Sequence, residues 1–511
     1  MTRPLPFALA LGLAACASAQ VPAPAERPAA LVEAAPLAPS AWFNLDHLDY
    51  LGEDVVVDSD SVRLVHIYAE APDFRLVGDD DEGIACVDDV ARAAVLYLHH
   101  LRATGDPASQ RAAVKLLRFV RRQQTADGLI VNFVWDRQLR PNTEHPYSRA
   151  DKVEWWTARA VWALGVGAEV LAQREPAEAA AALAAVRRVE PHLDRLLDAY
   201  GETAVRAEAG APGRPASAPY PLWMINGIAG DATSELVLGL AAAQRAAPTE
   251  AGARRVRQFT DGLALTRRGD LRAFPFGGFA SWPGSWHGWG NSQTQALAEA
   301  ASAGLASEAA RGAALAEATT FYPRLLVEGW RHEMPFPTES ARPFEQIAYM
   351  VRPVAVGSLR LFELTGDARF AVTAGLAAAW LTGDNAAAAV MADPATGRGY
   401  DGILSPTAVN ANAGAESTIE AQLTLFEVER VPEAARWLGA RGGAPQTVVL
   451  DGRAQRFRTW RAPDGTRAVV VLDPERDTTA VLSGAPAAAF LDRAARAEAV
   501  PPGRAGSALI P

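Results

Sequence analysis

Residues 86–98, CVDDVARAAVLYL, decide how the chain is read. Two adjacent carboxylates, Asp88 and Asp89, open what reads as an amphipathic helix. Acidic side chains suit the positive end of a helix dipole, so either Asp taken alone is a first-turn residue or a cap. Arg92, four residues beyond Asp88, can pair with it on one helix face. The acids Asp79, Asp80, Asp81 and Glu82 feed into the same helix start. Equivalent acidic helix starts recur along the chain, which is the pattern of a pocket built from many helix N-termini.

Outward from this helix, a unit of helix, short turn, helix and long loop repeats. Helices are expected over about 88–104 and 107–124, 153–172 and 176–200, 231–247 and 249–266, 291–304 and 307–328, 344–365 and 367–382, and 415–430 and 432–440. Connections within a pair are short, as antiparallel helical hairpins require. Connections between pairs are long and rich in aromatic and polar residues, where function tends to sit. Six hairpins in a ring give an all-α, (α/α)6 toroid over 41–440, its first helices lining the ring with their N-termini at the long loops. The twelfth helix is short, which makes closure of the ring the most demanding step. Ahead of the ring, two β-branched runs around Asp58-Ser59-Asp60 form a short N-terminal β segment over 54–69. Short strands at 447–450, 456–460 and 468–472 make 441–511 a small β appendage with a tail.

The remaining features bound the class of function. The chain has 511 residues, is 49% hydrophobic and carries a formal net charge of −10. Nucleic acid and anionic lipid both need a basic face and are excluded as main partners. Residues 1–19 read as a signal segment. Arg3 is its basic part, and the apolar stretch from Leu5 to Leu13 is too short to span a bilayer. It ends in Leu13-Ala14-Ala15-Cys16, which resembles a lipobox with Cys16 as the lipidated residue; Ala17-Ser18-Ala19 offers an overlapping site for ordinary secretion. The expected location is therefore a periplasmic or outer-surface lipoprotein, held to the membrane by the lipid alone, or a soluble secreted protein. Residues 20–40, rich in Ala and Pro, read as a tether. The other cysteine, Cys86, has no partner for an internal disulfide and reads as a small buried hydrophobe.

Carboxylates next to aromatic rings are what glycan chemistry needs: one acid protonates the leaving oxygen, and a second carboxylate activates water or attacks the sugar. The candidates sit at the starts of the odd-numbered helices. Asp88 or Asp89 is expected to supply one carboxylate and Glu345 or Glu416 the other, with Asp89 favoured as the acid because Arg92 holds Asp88. Around them, Arg92, Glu154, Trp155, Trp156, Asp231, Trp282, Trp286, His287, Trp289, Tyr349 and Arg352 are candidate substrate contacts, the indoles by stacking on sugar faces. Each acid alone is as well explained by capping or ion pairing, and each indole by packing; recurrence carries the reading. No GxSxG, Walker or HExxH pattern is present, and no metal or other cofactor is expected. The acids 79–82 lack EF-hand spacing and read as a solvated turn. His99 and His100 point about 100° apart on one helix and cannot share a metal.

Three segments carry a family resemblance: ACVDDVARA at 85–93, EWWTARAVWALG at 154–165 and NAGAESTIEA at 412–421. In this order they resemble the all-helical region that accompanies some bacterial glycosyltransferases, and more broadly the six-hairpin glycosidase superfamily. The first motif matches at Asp88, Asp89 and Arg92, and the third at Glu416, Ser417 and Thr418. The second departs, with Thr157-Ala158 before Arg159 where the pattern has Gly. The resemblance implies a toroid and a sugar-acting hydrolase, lyase or phosphorylase. The reading is therefore an exported carbohydrate-active enzyme with a glycan substrate, a glycoside hydrolase first. A polysaccharide lyase and a non-catalytic surface glycan-binding lipoprotein are the alternatives.

The leader generates the first prediction. The Cys16→Ser protein should move from the detergent phase to the aqueous phase on detergent partitioning. An aqueous wild-type protein would refute lipidation.

Overall fold

The computed structural model describes residues 41–208, 216–227 and 229–497. The signal segment with Cys16 and the tether lie outside the described residues. Twelve helices pair into six hairpins: α2 (Val87–Thr104) with α3 (Pro107–Arg122), α4 (Trp155–Val170) with α5 (Pro176–Leu197), α6 (Gly230–Ala246) with α7 (Glu250–Ala264), α8 (Gln293–Ser302) with α9 (Glu308–Glu328), α10 (Val351–Thr365) with α11 (Ala368–Ala378), and α12 (Ala415–Glu429) with α13 (Pro432–Ala435). A short helix not anticipated from sequence, α1 (Asp46–Leu51), precedes them.

The even-numbered helices α2 to α12 form the inner ring. Each packs on the next, and α12 packs back on α2, so the ring closes through α12 although α13 is one turn long. Inner helices are buried on nearly every side, because one face meets an outer helix and the other faces the ring interior; every residue from Asp89 to His99 is buried. The outer helix α3 is amphipathic instead, burying Ala112, Ala113, Leu116, Leu117 and Val120 at helical spacing.

The two sets of helices also start differently. Four of the six outer helices carry their own caps: Asp106 accepts from the Ala108 and Ser109 amides, Thr249 from Gly252, Ser307 from Ala310 and Asp367 from Arg369, while α5 and α13 have none. The inner helices α2, α4, α6, α8, α10 and α12 start with no side-chain cap. Their first amides are met instead by loop groups, as Val87 by the Asn132 carbonyl and Gly230 by that of Ser281, and their positive dipole ends face the mouth of the ring, where Asp88, Asp89, Asp231 and Glu416 occupy first turns.

One sequence expectation fails at the fifth pair. No helix begins at 344. Gln346–Ile347 pairs as a strand with Gly402–Ser405, Ala348–Met350 forms a 3-10 turn, and α10 starts at Val351. Pro353 is the reason: it lacks an amide hydrogen and fits without cost only in a first turn. Glu345 therefore sits beside a strand at the ring mouth, not on a helix start.

Beyond the ring, the hairpin ahead of α2 runs Gly52–Val57 and Asp60–Val65. After α13, five antiparallel strands between Arg441 and Ser483 form a sheet covered by α14 (Ala485–Arg496), around a small core of Val448, Phe457, Val469, Val471, Ala487 and Phe490. The fourth long strand, Thr478–Ser483, and α14 were not anticipated from the sequence. The sheet is fastened to the ring by buried polar contacts. Arg458 donates to Asp384 at 2.8 Å and to the Leu326 carbonyl at 3.2 Å, and the Trp460 indole donates to Asp384 at 2.7 Å. No helix among the described residues is long and apolar enough to cross a membrane.

The closest helix crossing in the ring, α4 on α6, depends on two glycines. A Cβ on Gly165 would stand 2.1 Å from the Gly239 carbonyl oxygen, and one on Gly239 would stand 2.4 Å from that of Val161. Gly165→Ala should therefore lower stability by about 1–3 kcal/mol through overpacking. Gly312→Ala, where nothing lies within 4 Å of the new methyl, should raise it by about 0.5–1 kcal/mol through helix propensity. Denaturant unfolding of both proteins checks the opposite signs.

Candidate active site at the mouth of the ring

A cavity of about 360 Å³ opens where the inner helices start, near the lower end of the usual range for ligand pockets. The four expected catalytic acids, Asp88, Asp89, Glu345 and Glu416, all line it, with Arg92, Arg159 and Tyr349 at its base. The four acids come from three segments of the chain, and one buried ionic network joins all of them except Glu345. Arg92 donates through Nη2 to Asp89 at 2.7 Å and to Glu416 at 3.2 Å, and through Nη1 to Glu420 at 3.3 Å. Arg159 donates to Glu235 and to the Tyr349 hydroxyl, each at 2.8 Å, and its Nη1 lies 2.8 Å from Asp88 Oδ1, an ion pair without hydrogen-bond alignment. Arg352 donates to Glu420, to Gln295 at 3.1 Å and to Glu235 at 3.3 Å. Tyr349 is the hub: its hydroxyl donates to Glu235 at 2.6 Å and its ring lies against Arg92, Arg159 and Arg352.

The network sorts the four acids by access. Asp89 is almost wholly buried, and both its oxygens are engaged, Oδ1 by Arg92 and Oδ2 by the Cys86 thiol at 3.2 Å. It anchors Arg92, and each of its oxygens already accepts a hydrogen bond. Asp88 accepts from Asn132 Nδ2 at 3.0 Å and faces Arg159, not the Arg92 side chain it was expected to pair with; Arg92 Nε instead donates to the Asp88 carbonyl at 3.1 Å. Glu416 is the open member: its side chain is 46% exposed, Oε2 meets Arg92, and Oε1 is unclaimed among the described residues. The Glu345 carboxylate has no partner among the described residues. Asp89 and Glu416 share one guanidinium nitrogen, so their bound oxygens stand no farther apart than those two bonds laid end to end. That is below the separation of about 6.5–9.5 Å that a carboxylate pair needs to hold a water across a sugar.

Asp401 belongs with these acids and was missed as a site residue. It lines the cavity, accepts at Oδ1 from Ser417 Oγ at 2.6 Å and from the Gly414 amide at 3.2 Å, and leaves Oδ2 open. Burial raises its carboxyl above the usual range against those two donors, and Glu416 adds to the rise. Arg159, Glu235 and Glu420 had a legible signal. Each lies four residues after a first-turn residue (Trp155, Asp231, Glu416), as Arg92 follows Asp88, and so falls one turn deeper on the ring-facing side.

The tryptophans expected to stack on sugar do not line the cavity. Trp156 is buried and its indole donates to the Ile130 carbonyl at 2.7 Å. Trp286 is buried against Phe321, and Trp155 packs between Arg159 and Trp282. Trp289 stacks on His287 at 4.0 Å between centroids, and His287 Nε2 meets the fully buried Asp231 at 2.8 Å. Glu154 is held by Lys152 at 2.9 Å and Asn226 at 2.8 Å. Arg352 is fully buried below the cavity. The aromatic side chains that do line the cavity are Tyr68, Phe133 and Tyr349. The acids 79–82 form a turn, with Asp79 accepting from the Asp81 and Glu82 amides, while Tyr68 donates to Glu82 at 2.5 Å. Among the described residues, no group of three or more His, Cys, Asp or Glu side chains is placed to hold a metal ion. His99 meets Glu427 at 2.7 Å and His100 meets Ser109 at 2.8 Å, both interhelix contacts.

Burial pushes the Asp89 carboxyl up to about 6 from 3.8; Arg92 opposes this, and Glu416 and Asp88 reinforce it. A carboxyl whose folded value is raised stabilises the fold while protonated, and that contribution is lost as pH rises from 3.8 through about 6. Asp89→Asn should therefore flatten the stability profile across that window. Denaturation midpoints measured against pH for both proteins test this, and parallel profiles would show that Asp89 does not titrate there.

No protein-family model matches the sequence, and no curated protein matches it. Solved structures similar to it include the cellobiose 2-epimerase of Bacillus thermoamylovorans, 12% identical over 76% of this chain and 96% of that one, TM-score 0.52. A sugar epimerase from a ruminal bacterium is 12% identical over 75% and 95%, TM-score 0.53. The cellobiose 2-epimerase of Spirochaeta thermophila is 13% identical over 76% and 93%, TM-score 0.52. At such identity the likeness is one of fold. With its closed inner ring and six hairpins, the chain has an (α/α)6 toroid fold, which it shares with these structures.

Proposed function

We propose that the protein is an exported carbohydrate-active enzyme, a glycoside hydrolase acting on an oligo- or polysaccharide. The observation that carries this reading is the cavity itself, where, among the described residues, Asp401 and Glu416 each keep one oxygen open and a third carboxylate, Glu345, has no partner. Asp401, raised by burial, supplies the proton: its O–H bond breaks as the glycosidic oxygen takes the proton and the C–O bond to the leaving sugar cleaves. Glu416, fixed on one oxygen by Arg92, acts with the other on the water that adds to the anomeric carbon and takes its proton. Tyr68 and Phe133 offer ring faces for the sugar. The leader ending at Cys16 supports export with a lipid anchor, the glycan being met outside the cytoplasm.

A lyase gains nothing from this site. Its uronate substrate needs uncommitted positive charge, and both lining guanidiniums are already matched by carboxylates. A sugar epimerase is the second reading. The structures named above carry that activity on the same fold, and the small cavity suits a mono- or disaccharide.

The test is Asp401→Asn and Glu416→Gln, each assayed on a glycan panel with folding checked by circular dichroism. Each should lower kcat by about 100-fold or more, the scale of a lost general acid or base. New reducing ends without ultraviolet absorbance mark hydrolysis, and interconversion with the linkage intact marks epimerisation. Glycan binding that persists in both variants, with no turnover by the wild type, would leave a binding protein.

A further inference from the structure

We propose that the Tyr147 ring is an outer sugar subsite, so that the substrate is an oligosaccharide chain with one part in the cavity and its next units lying over the rim. The inference rests on the hydrolase reading for the reaction, and on the placement of one ring for the subsite. Aromatic side chains run outward from the cavity in contact with one another. Phe133 lines the cavity, its ring meets His145 edge-on at 5.0 Å between centroids, and His145 meets Tyr147 at 5.6 Å. The row ends in solvent: Phe133 is buried, His145 is half-buried and Tyr147 is 69% exposed.

The turn that carries Tyr147 is fixed directly to the acid site. Asn132 Nδ2 donates both to Asp88 at 3.0 Å and to the Tyr147 carbonyl at 3.1 Å. The buried Ser148 accepts through Oγ from the Phe133 amide at 2.8 Å, and its own amide donates to the His145 carbonyl at 3.0 Å. Pro146 restricts the same turn, and the Tyr147 amide donates to His145 Nδ1 at 3.2 Å. Asn142, also buried, ties this loop to the turn at 79–82 by donating to the Asp81 carbonyl at 2.6 Å. The backbone under the ring is thus held on several sides.

The ring itself serves no contact of that kind. A single exposed apolar side chain is ordinary on a protein surface, but the other exposed tyrosines are each tied down. The hydroxyls of Tyr50, Tyr68 and Tyr200 donate to the Phe74 carbonyl, to Glu82 and to Asp261. The Tyr147 hydroxyl has no partner among the described residues. A ring on an ordered turn loses little freedom when it binds, since only two torsions remain to be fixed. Its face stacks on the apolar face of a sugar. The cavity, about 360 Å³, suits one or two sugar units, so the further units of a longer chain pass over the rim, where the row from Phe133 leads to Tyr147.

The experiment reads affinity against chain length. Oligosaccharides of one to six units, β-1,4-linked glucose, mannose and N-acetylglucosamine in turn, are titrated into the full chain by ligand-observed NMR, which reads binding and any cleavage in the same spectra. In a series that binds, affinity should rise by about fivefold or more once the chain outgrows the cavity, the scale of one aromatic stacking contact. Tyr147→Ala should abolish that rise, with the loss confined to the longer chains, and Tyr147→Phe should keep it, because the ring face and not the hydroxyl binds. A merely structural role would weaken every length alike. No rise with length, a rise that survives Tyr147→Ala, an equal loss at all lengths, or binding of none of the three series would overturn the proposal. A Tyr147-dependent rise without cleavage of any oligosaccharide would defeat the hydrolase reading alone. Cleavage with no Tyr147-dependent rise would defeat the outer subsite alone.

Discussion

The structure turns on the burial of three guanidiniums, Arg92, Arg159 and Arg352, at the centre of the ring. A buried charge is tolerated when it is paired and its donors are satisfied. Here Asp88, Asp89, Glu235, Glu416 and Glu420 do this between them, with Tyr349 accepting from one arginine and donating to one of the acids. The partners arrive from α2, α4, α6, α10 and α12 and the turn before α10. No pair of hairpins can satisfy the network, and only the closed ring brings the charges together. Apolar packing is the main driving force for ring formation, and the network fixes which helices stand opposite one another.

The same constraint explains why the site lies where it does. Four of the outer helices cap themselves, with Asp106, Thr249, Ser307 and Asp367. The inner helices start uncapped, and their amides and dipoles gather at one mouth, where acids are favourable. Acids in the second turn meet arginines below, while those at the rim keep oxygens for a ligand. Depth along the inner helices therefore separates structure from chemistry: Glu420 and Glu235 lock arginines, and Glu416, one turn above Glu420, remains open.

The site also bears on the choice of reaction. The sequence places Asp88 or Asp89 opposite Glu345 or Glu416, on helix starts in opposite parts of the ring. The structure joins Asp89 and Glu416 through one arginine nitrogen, so they act as one anchored unit. Asp401, on a loop without helical periodicity, adds a cavity-lining carboxyl that spacing could not reveal. The indoles of the aromatic loops turn inward to wall the ring, leaving Tyr68 and Phe133 as the ring faces beside the acids.

Local rules in the sequence determined the twelve helices of the ring, their starts within two residues except at α10, and the four acids that line the cavity at its mouth. Helical periodicity, caps such as Asp106 before Pro107 and left-handed stops such as Gly105 act within a few residues and are legible without a fold. Pro353 was equally local, and it marks the late start of α10 that the apolar pattern obscured. The tertiary structure alone decided which carboxylate oxygens are taken and which stay open. Arg92 and Glu416 are 324 residues apart in the chain, and Arg159 and Tyr349 are 190 apart. Hydrogen bonds across such distances follow from how the ring closes, because each acid's environment is set by helices that are its neighbours in space and not in sequence.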